Sequence, residues 1–209
     1  MAEYQLHCFG ESGNAYKVAL LLELTGADWE PLFVDFFDGA TRTPEFRSEV
    51  NELGEVPVLI HGTRKLSQSG VILTYLADRL GQFGPGSEDE GLEILRWLFF
   101  DNHKFTSFFA TLRFQQHFMK VGQTPVTDFL LGRVQGAFDI VDKHLATRDF
   151  ILGKQPTIAD LSMCGYLFYK DEVALDWLRW PSLVRWTERV AGLPRWKGPY
   201  DLMPRSHKG

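Results

Sequence analysis

The sequence predicts a mixed α/β half followed by an all-helical half. Three observations carry that expectation. Short apolar strands alternate with helical repeats over residues 1–80, a Gly/Pro-rich acidic stretch interrupts the pattern at 81–90, and beyond it apolar residues recur almost entirely at helical spacing. The expected order in the first half is β-α-β-α-β-β-α. Alternation followed by a hairpin is the pattern of a mixed sheet with helices on its faces.

Taken in order, Gln5-Leu6-His7-Cys8-Phe9 reads as the first strand. From Asn14 to about Thr25 the pattern turns helical, with Val18, Leu21 and Leu22 at i, i+3 and i+4, and Gly26 is placed to end it. Trp29 to Phe37 is aromatic and aliphatic enough for a second strand. Thr43-Pro44-Glu45-Phe46 reads as a helix start, with Thr43 as N-cap and Pro44 at the first position. Val56-Pro57-Val58-Leu59-Ile60 is a third strand, and His61-Gly62-Thr63 turns the chain back through Lys65-Leu66 as a hairpin. Ser67-Gln68-Ser69-Gly70 then opens a helix with Leu73, Leu76 and Leu80 on one stripe.

Gly81, Gly84, Pro85 and Gly86, followed by Glu88-Asp89-Glu90, mark 81–90 as the linker between a first domain over 1–80 and a helical domain over 91–209. The helical half is read as Leu92 to Phe118, Pro125 to about Ala146, and Thr157 to about Tyr169. Shorter helices follow, punctuated by Pro181 and Pro194. The closing Pro204-Arg205-Ser206-His207-Lys208-Gly209 reads as a frayed basic terminus.

Composition narrows the function classes. A net charge of −5 gives a nucleic-acid role no electrostatic support. No apolar run reaches the ~18 residues that span a bilayer, and the N-terminus lacks the basic and apolar regions of a signal peptide. Cys8 and Cys164 fit neither a disulfide framework nor a metal site, so a reducing cytoplasm is the simplest compartment. His103, His117 and His144 have no metal-like spacing, and no metal is expected.

Three short motifs carry chemistry. In Glu11-Ser12-Gly13-Asn14-Ala15-Tyr16-Lys17-Val18, Ser12 follows a strand and opens a helix. It is either a plain N-cap or a hydroxyl donor aimed at an anion held by the helix N-terminus. Gly10-Glu11-Ser12-Gly13-Asn14 is not a hydrolase elbow, because the second glycine is misplaced. Val56-Pro57 is either an ordinary strand entry or, with a cis bond, a turn that offers the Val56 backbone to a peptide-like ligand as an added strand. Gln68-Ser69 is either a simple cap or a carboxylate-binding helix mouth.

In this order and spacing, these motifs resemble the cytosolic glutathione transferases of bacterial, serine type, of a theta/phi-like subfamily. The residues that carry the resemblance are Ser12-Gly13-Asn14-Ala15-Tyr16-Lys17-Val18, Thr41-Arg42-Thr43-Pro44-Glu45-Phe46, Asn51-Glu52-Leu53-Gly54-Glu55-Val56-Pro57-Val58-Leu59, Gln68-Ser69-Gly70-Val71-Ile72 and Thr157-Ile158-Ala159-Asp160. It covers nearly the whole chain and implies a thioredoxin-like first domain, an all-helical second domain, and a cytoplasmic homodimer.

The implied activity is transfer of glutathione, as co-substrate, to a hydrophobic electrophile. Ser12, with Asn14 as second donor, would stabilise the thiolate. Val56, beside a cis Pro57, would pair with the cysteinyl backbone. Gln68 and Ser69 would hold the γ-glutamyl end, joined by Asp101 acting on a dimer partner's ligand, and Arg42 or Lys17 the glycyl carboxylate, which Glu55 would repel. Phe108, Leu112 and Arg113 would line the electrophile site. The turn holds no cysteine, which argues against a thiol-exchange mechanism, and Cys8 reads as a buried inert thiol. The rivals are a non-catalytic glutathione-binding or assembly module, and a specialised glutathione-dependent dehalogenase, isomerase or peroxidase.

Overall fold

The computed structural model describes residues 2–206. These residues divide into two compact units, 2–82 with 193–206, and 83–192. The first unit is built on four strands, β1 (Tyr4–Cys8), β2 (Trp29–Phe33), β3 (Val58–His61) and β4 (Arg64–Ser67), in the order β2-β1-β3-β4. β1 runs parallel to β2 and antiparallel to β3, and β3 is antiparallel to β4, so the sheet is mixed as expected.

Helix α1 (Gly13–Thr25) starts where the sequence places a cap. Ser12 is extended (φ −86°, ψ 104°), and its Oγ accepts from Ala15 N–H at 3.2 Å. Gly26 closes the helix at φ 71°, a conformation that a side chain resists. α1 is buried nearly all round, Tyr16, Val18 and Leu20 to Leu22 being fully covered, as befits a core helix. α2 (Pro44–Glu49) begins on the Thr43 cap, whose Oγ1 accepts from Phe46 N–H at 3.1 Å. α3 (Ser69–Leu80) buries Ile72, Leu73 and Leu76.

The second strand is shorter than its composition suggests. Phe36 N–H bonds back to the Val34 carbonyl at 2.9 Å and turns the chain. Phe36 and Phe37 then pack on Phe9, at 4.9 and 6.0 Å between ring centroids, so the aromatic run serves a turn rather than a ladder. β3 likewise starts at Val58, two residues after Val56.

The unit over 83–192 is helical: α4 (Glu88–Phe100), α5 (Thr106–Arg113), α6 (Pro125–Leu145), α7 (Ile158–Cys164) and α8 (Pro181–Ala191). α4 and α5 are joined by a π-helical turn over Asp101–Phe105, and a second one, Phe114–Phe118, follows α5. Phe105, Phe109, Phe138 and Trp180 fill its core. α7 ends at Cys164 and not at Tyr169. Gly165 N–H tightens onto Ser162 O, and Tyr169 leaves helical geometry (φ −109°, ψ 26°).

The expected linker is shorter than 81–90. Phe83 O accepts from Ile158 N–H within the helical unit, and α4 already begins at Glu88. Residues 193–206 do not continue the helical unit. They return to the first, where α9 (Pro199–Leu202) packs on α1. The frayed terminus is corrected for Pro204 to Ser206, which dock through Gly10 N–H to Pro204 O at 2.6 Å and Ser206 N–H to Glu11 at 3.2 Å. His207 to Gly209 lie outside the described residues.

Candidate functional site

The strand register brings the three motifs together. His7 of β1, Val58 of β3 and Ser67 of β4 form one row across the sheet. β1 leaves this row toward Ser12, β3 enters it from Val56, and β4 leaves it toward Gln68 and Ser69. Because neighbouring strands in this row are antiparallel, all three segments emerge at one end of the sheet. At ~4.8 Å between strands the row spans about 10 Å, the length of three extended residues. β2, parallel to β1, leaves at the same end, toward the exposed Arg42 in the 3₁₀ turn Ala40–Arg42.

Ser12 is 6 % exposed. Its Oγ lone pair takes the Ala15 N–H, and its own hydroxyl proton has no acceptor among the described residues. Asn14 Oδ1 is buried without a hydrogen-bond partner among the described residues. A serine donor and an unsatisfied amide therefore share the first turn of α1, where backbone N–H groups and the helix dipole favour an anion.

The Val56–Pro57 bond is cis. Val56 is half-exposed, and its N–H and C=O have no partner among the described residues. The loop before it is held by Asn51, whose motif the sequence displayed without revealing its role. Asn51 is 8 % exposed, donates to Glu55 O at 2.9 Å and accepts from Leu53 N–H at 3.2 Å. Gly54, at φ 67°, completes that loop, and a Cβ there would meet Thr41 O at 2.8 Å.

Gln68 sits at φ 70°, ψ 114°, an unusual backbone for a non-glycine residue, just before the free N-terminus of α3. Its Nε2 donates to Glu55 Oε2 at 2.9 Å. Ser69 is half-buried at the first position of the helix. Two titratable groups of β1 lie near the row. Burial, with the charge of Lys65 second, lowers His7 below its usual value, and burial pushes the Cys8 thiol up to about 12. Lys17 is 1 % exposed, an interior residue of α1 rather than a surface cation.

The helical unit treats its expected site residues differently. Asp101 is 1 % exposed, and its oxygens accept from Thr106 Oγ1 at 2.5 Å and Ser162 Oγ at 2.6 Å. Within this chain Asp101 thus braces α7 against the π turn. Leu112 is fully buried, and Arg113 is 2 % exposed. Arg113 is bonded through Nε to Glu172 at 2.7 Å and stacked 4.0 Å over Tyr169. Both are packed into the interior of the helical unit. Phe108 stays half-buried, with the Arg133 guanidinium 4.9 Å over its ring. A cavity of about 650 Å³ opens between His117, Lys120, Thr127, Leu131 and Val173, and of these His117 alone was named from the sequence, without being assigned to a site. Among the described residues no cluster of His, Cys, Asp or Glu is placed to hold a metal ion, and no helix is long and apolar enough to cross a membrane.

Comparison with known proteins agrees with this fold. Residues 4–78 match the family model "Glutathione S-transferase, N-terminal domain", and residues 103–194 match "Glutathione S-transferase, C-terminal domain". A solved glutathione S-transferase of Pseudomonas fluorescens is 31 % identical, with a TM-score of 0.88 over 95 % of this chain and 99 % of that one. A glutathione transferase of Burkholderia graminis, solved with two glutathione molecules bound per subunit, is 27 % identical with a TM-score of 0.81, covering 93 % and 85 %. The curated glutathione S-transferase F14 of Arabidopsis thaliana is 27 % identical over 209 residues, 93 % of this chain and 82 % of the relative. The chain belongs to the glutathione S-transferase family.

Proposed function

We propose that this protein binds glutathione at the open end of the first unit's sheet and activates its thiol for conjugation to a hydrophobic electrophile. The observation that carries this reading is the His7–Val58–Ser67 row, which gathers Ser12, Val56 and Ser69 at one sheet end over about the length of a tripeptide. Val56 N–H and C=O pair with the cysteinyl backbone as an added strand. The Ser69 hydroxyl and the N–H groups opening α3 take the γ-glutamyl carboxylate, beside Gln68. Arg42 takes the glycyl carboxylate.

With the tripeptide so placed, its sulfur lies at the mouth of α1. The Ser12 hydroxyl donates to it, and Asn14, with its amide turned, supplies a second donor. The thiol proton leaves to solvent, the thiolate forms the bond to the electrophilic carbon, and the leaving group departs with its electron pair. Lowering the thiol pKa by about two units requires about 2.7 kcal/mol. A charge-assisted hydrogen bond at about 1.5–3 kcal/mol and a helix dipole at about 0.3–1 kcal/mol supply that. Phe108, the expected electrophile-site residue that is not buried in the core, is assigned to the electrophile. Two buried cysteines, far apart in sequence, suit a reducing cytoplasm. The exposed stripe Leu92, Leu95 and Phe99 of α4, 61, 44 and 72 % exposed, is assigned to a homodimer contact.

The test is titration of the thiolate absorbance of bound glutathione. A pKa well below that of the free thiol is expected, and a bound thiol titrating at its free value would instead favour a non-catalytic binding module. A second reading, reduction of a glutathione-containing disulfide or a hydroperoxide, is favoured by the two glutathione molecules in the Burkholderia graminis relative. A panel of aryl halides, hydroperoxides and mixed disulfides separates the two, since conjugation yields a thioether and releases halide, whereas reduction yields glutathione disulfide, from two glutathiones per hydroperoxide or one per mixed disulfide.

A further inference from the structure

The stretch from Arg195 to Ser206 grips α1 and the loop leading into it at four points. Lys197 Nζ lies 3.0 Å from Glu23 Oε1, and Arg195 Nε donates to Glu23 O at 2.8 Å, near the helix C-terminus. Midway, Tyr16 Oη donates to Lys197 O at 2.8 Å. At the other end, Gly10 N–H donates to Pro204 O at 2.6 Å, and Ser206 N–H lies 3.2 Å from both carboxylate oxygens of Glu11. Gly10 and Glu11 immediately precede Ser12.

Burial makes the last of these grips consequential. Glu11 is 4 % exposed and Ser206 5 %, and a carboxylate this deeply covered depends on its donors. The fit is also close in shape. Gly10 does not adopt a positive φ, so its lack of a side chain answers to space: a Cβ there would lie 3.1 Å from Tyr200 Cδ1, 3.2 Å from Pro204 O and 3.3 Å from Arg205 Cα. Arg205 in turn covers the Tyr200 ring at 3.6 Å.

We propose that Glu11 and the 199–206 segment form a positioning strap that sets where the Ser12 hydroxyl points. The strap touches no reacting atom and acts through the Gly10–Glu11 backbone. The inference rests on the assignment of Ser12 as thiol donor made above, so its test reads loop order and thiol acidity separately.

Gly10→Ala wedges the strap from the loop, and Ser206→Pro removes the N–H that Glu11 accepts. In the full-length protein both variants are measured for hydrogen exchange of the amides over 10–16, for the pKa of bound glutathione, and for affinity toward S-methylglutathione, which has no thiol to ionise. Expected are exchange at least about tenfold faster, a bound-thiol pKa raised by about half a unit or more, kcat/KM at pH 6.5 lowered several-fold, and analogue affinity held within about twofold. Unchanged exchange in both variants would overturn the strap. So would faster exchange with an unmoved thiol pKa, in a protein whose Ser12→Ala variant does raise it. If Ser12→Ala itself leaves the thiol pKa unmoved, the assignment of Ser12 is what fails, and the exchange rates alone decide whether the strap orders the loop.

Discussion

The indole Nε1 of Trp186 donates to Asp160 Oδ1 at 2.9 Å, tying α8 to the start of α7. Asp160 also accepts from Ile151 N–H at 2.7 Å, Thr157 N–H at 2.8 Å and Thr157 Oγ1 at 3.2 Å, and it is fully buried. Replacing it with alanine strands four buried donors at once, each costing about 1–3 kcal/mol if it finds no water. Asp160→Ala is expected to lose at least about 3 kcal/mol in urea unfolding monitored by tryptophan fluorescence. A loss under 1 kcal/mol would mean that the knot is bypassed.

Ser12 has two jobs in this structure, and one substitution removes both. As N-cap it contributes about 1 kcal/mol to the stability of the first unit, and as hydroxyl donor it is assigned the thiolate. Ser12→Ala is expected to lower stability by about that amount, keep glutathione affinity within a few-fold, and cut turnover tenfold or more with a general electrophile. Turnover that survives the substitution would move the donor role to Asn14, whose amide, turned so that Nδ2 faces the sulfur, would supply the N–H.

Cys8 sits in β1 with no exposure, and burial pushes its thiol up to about 12. The thiolate is the reactive form, so at pH 8 the folded protein holds almost none of it. Treatment of native protein with a maleimide is expected to leave both Cys8 and Cys164 unmodified over hours, and both should react once urea unfolds the chain. Labelling of Cys8 in the folded protein would contradict the burial.

What the sequence revealed and what it hid divide along a physical line. The Ser12 and Thr43 caps, Gly26 and Pro44 were legible because each acts on backbone within four residues of itself. The end of β2 was not, because Phe36 and Phe37 have strand-like composition yet stack on Phe9 beyond the ladder. The bonds that hold Asp101 were hidden because its partners are invisible locally. Thr106 comes within reach at i+5 across a π turn, and Ser162 lies 61 residues away. Leu112 and Arg113 lie on a helix whose apolar stripe says that something covers it, not what, and here Glu172 and Tyr169 do so for Arg113. The docking of Pro204 and Ser206 was hidden most completely. It uses a main-chain carbonyl and a main-chain N–H, groups that every polar tail possesses.

Glu23 offers a test of pH dependence. Burial pushes its carboxyl up, but hydrogen bonds from Lys197 and Trp29, with the charges of Lys197 and Arg195, together overcome it and hold it below the ordinary value of 4.5. A carboxyl held low in the folded state adds stability that is fully present above its unfolded value and is lost as pH falls through the folded one. The side chains of Lys197 and Arg195 are both more than half exposed, so solvent screening keeps the gain to about 0.5–1 kcal/mol. Glu23→Gln is therefore expected to lower stability by about that amount at pH 7, with the difference from the parent protein shrinking as pH falls below 4.5 and lost once pH has passed below the folded-state value. Raising salt to 1 M at pH 7 should shrink the same difference, because it screens exposed charges. Denaturant midpoints at pH 7, 4.5 and 3, with and without salt, decide the matter. A pH-independent difference would mean that Glu23 acts through packing or through the Trp29 contact, and that the two cations at its side contribute nothing.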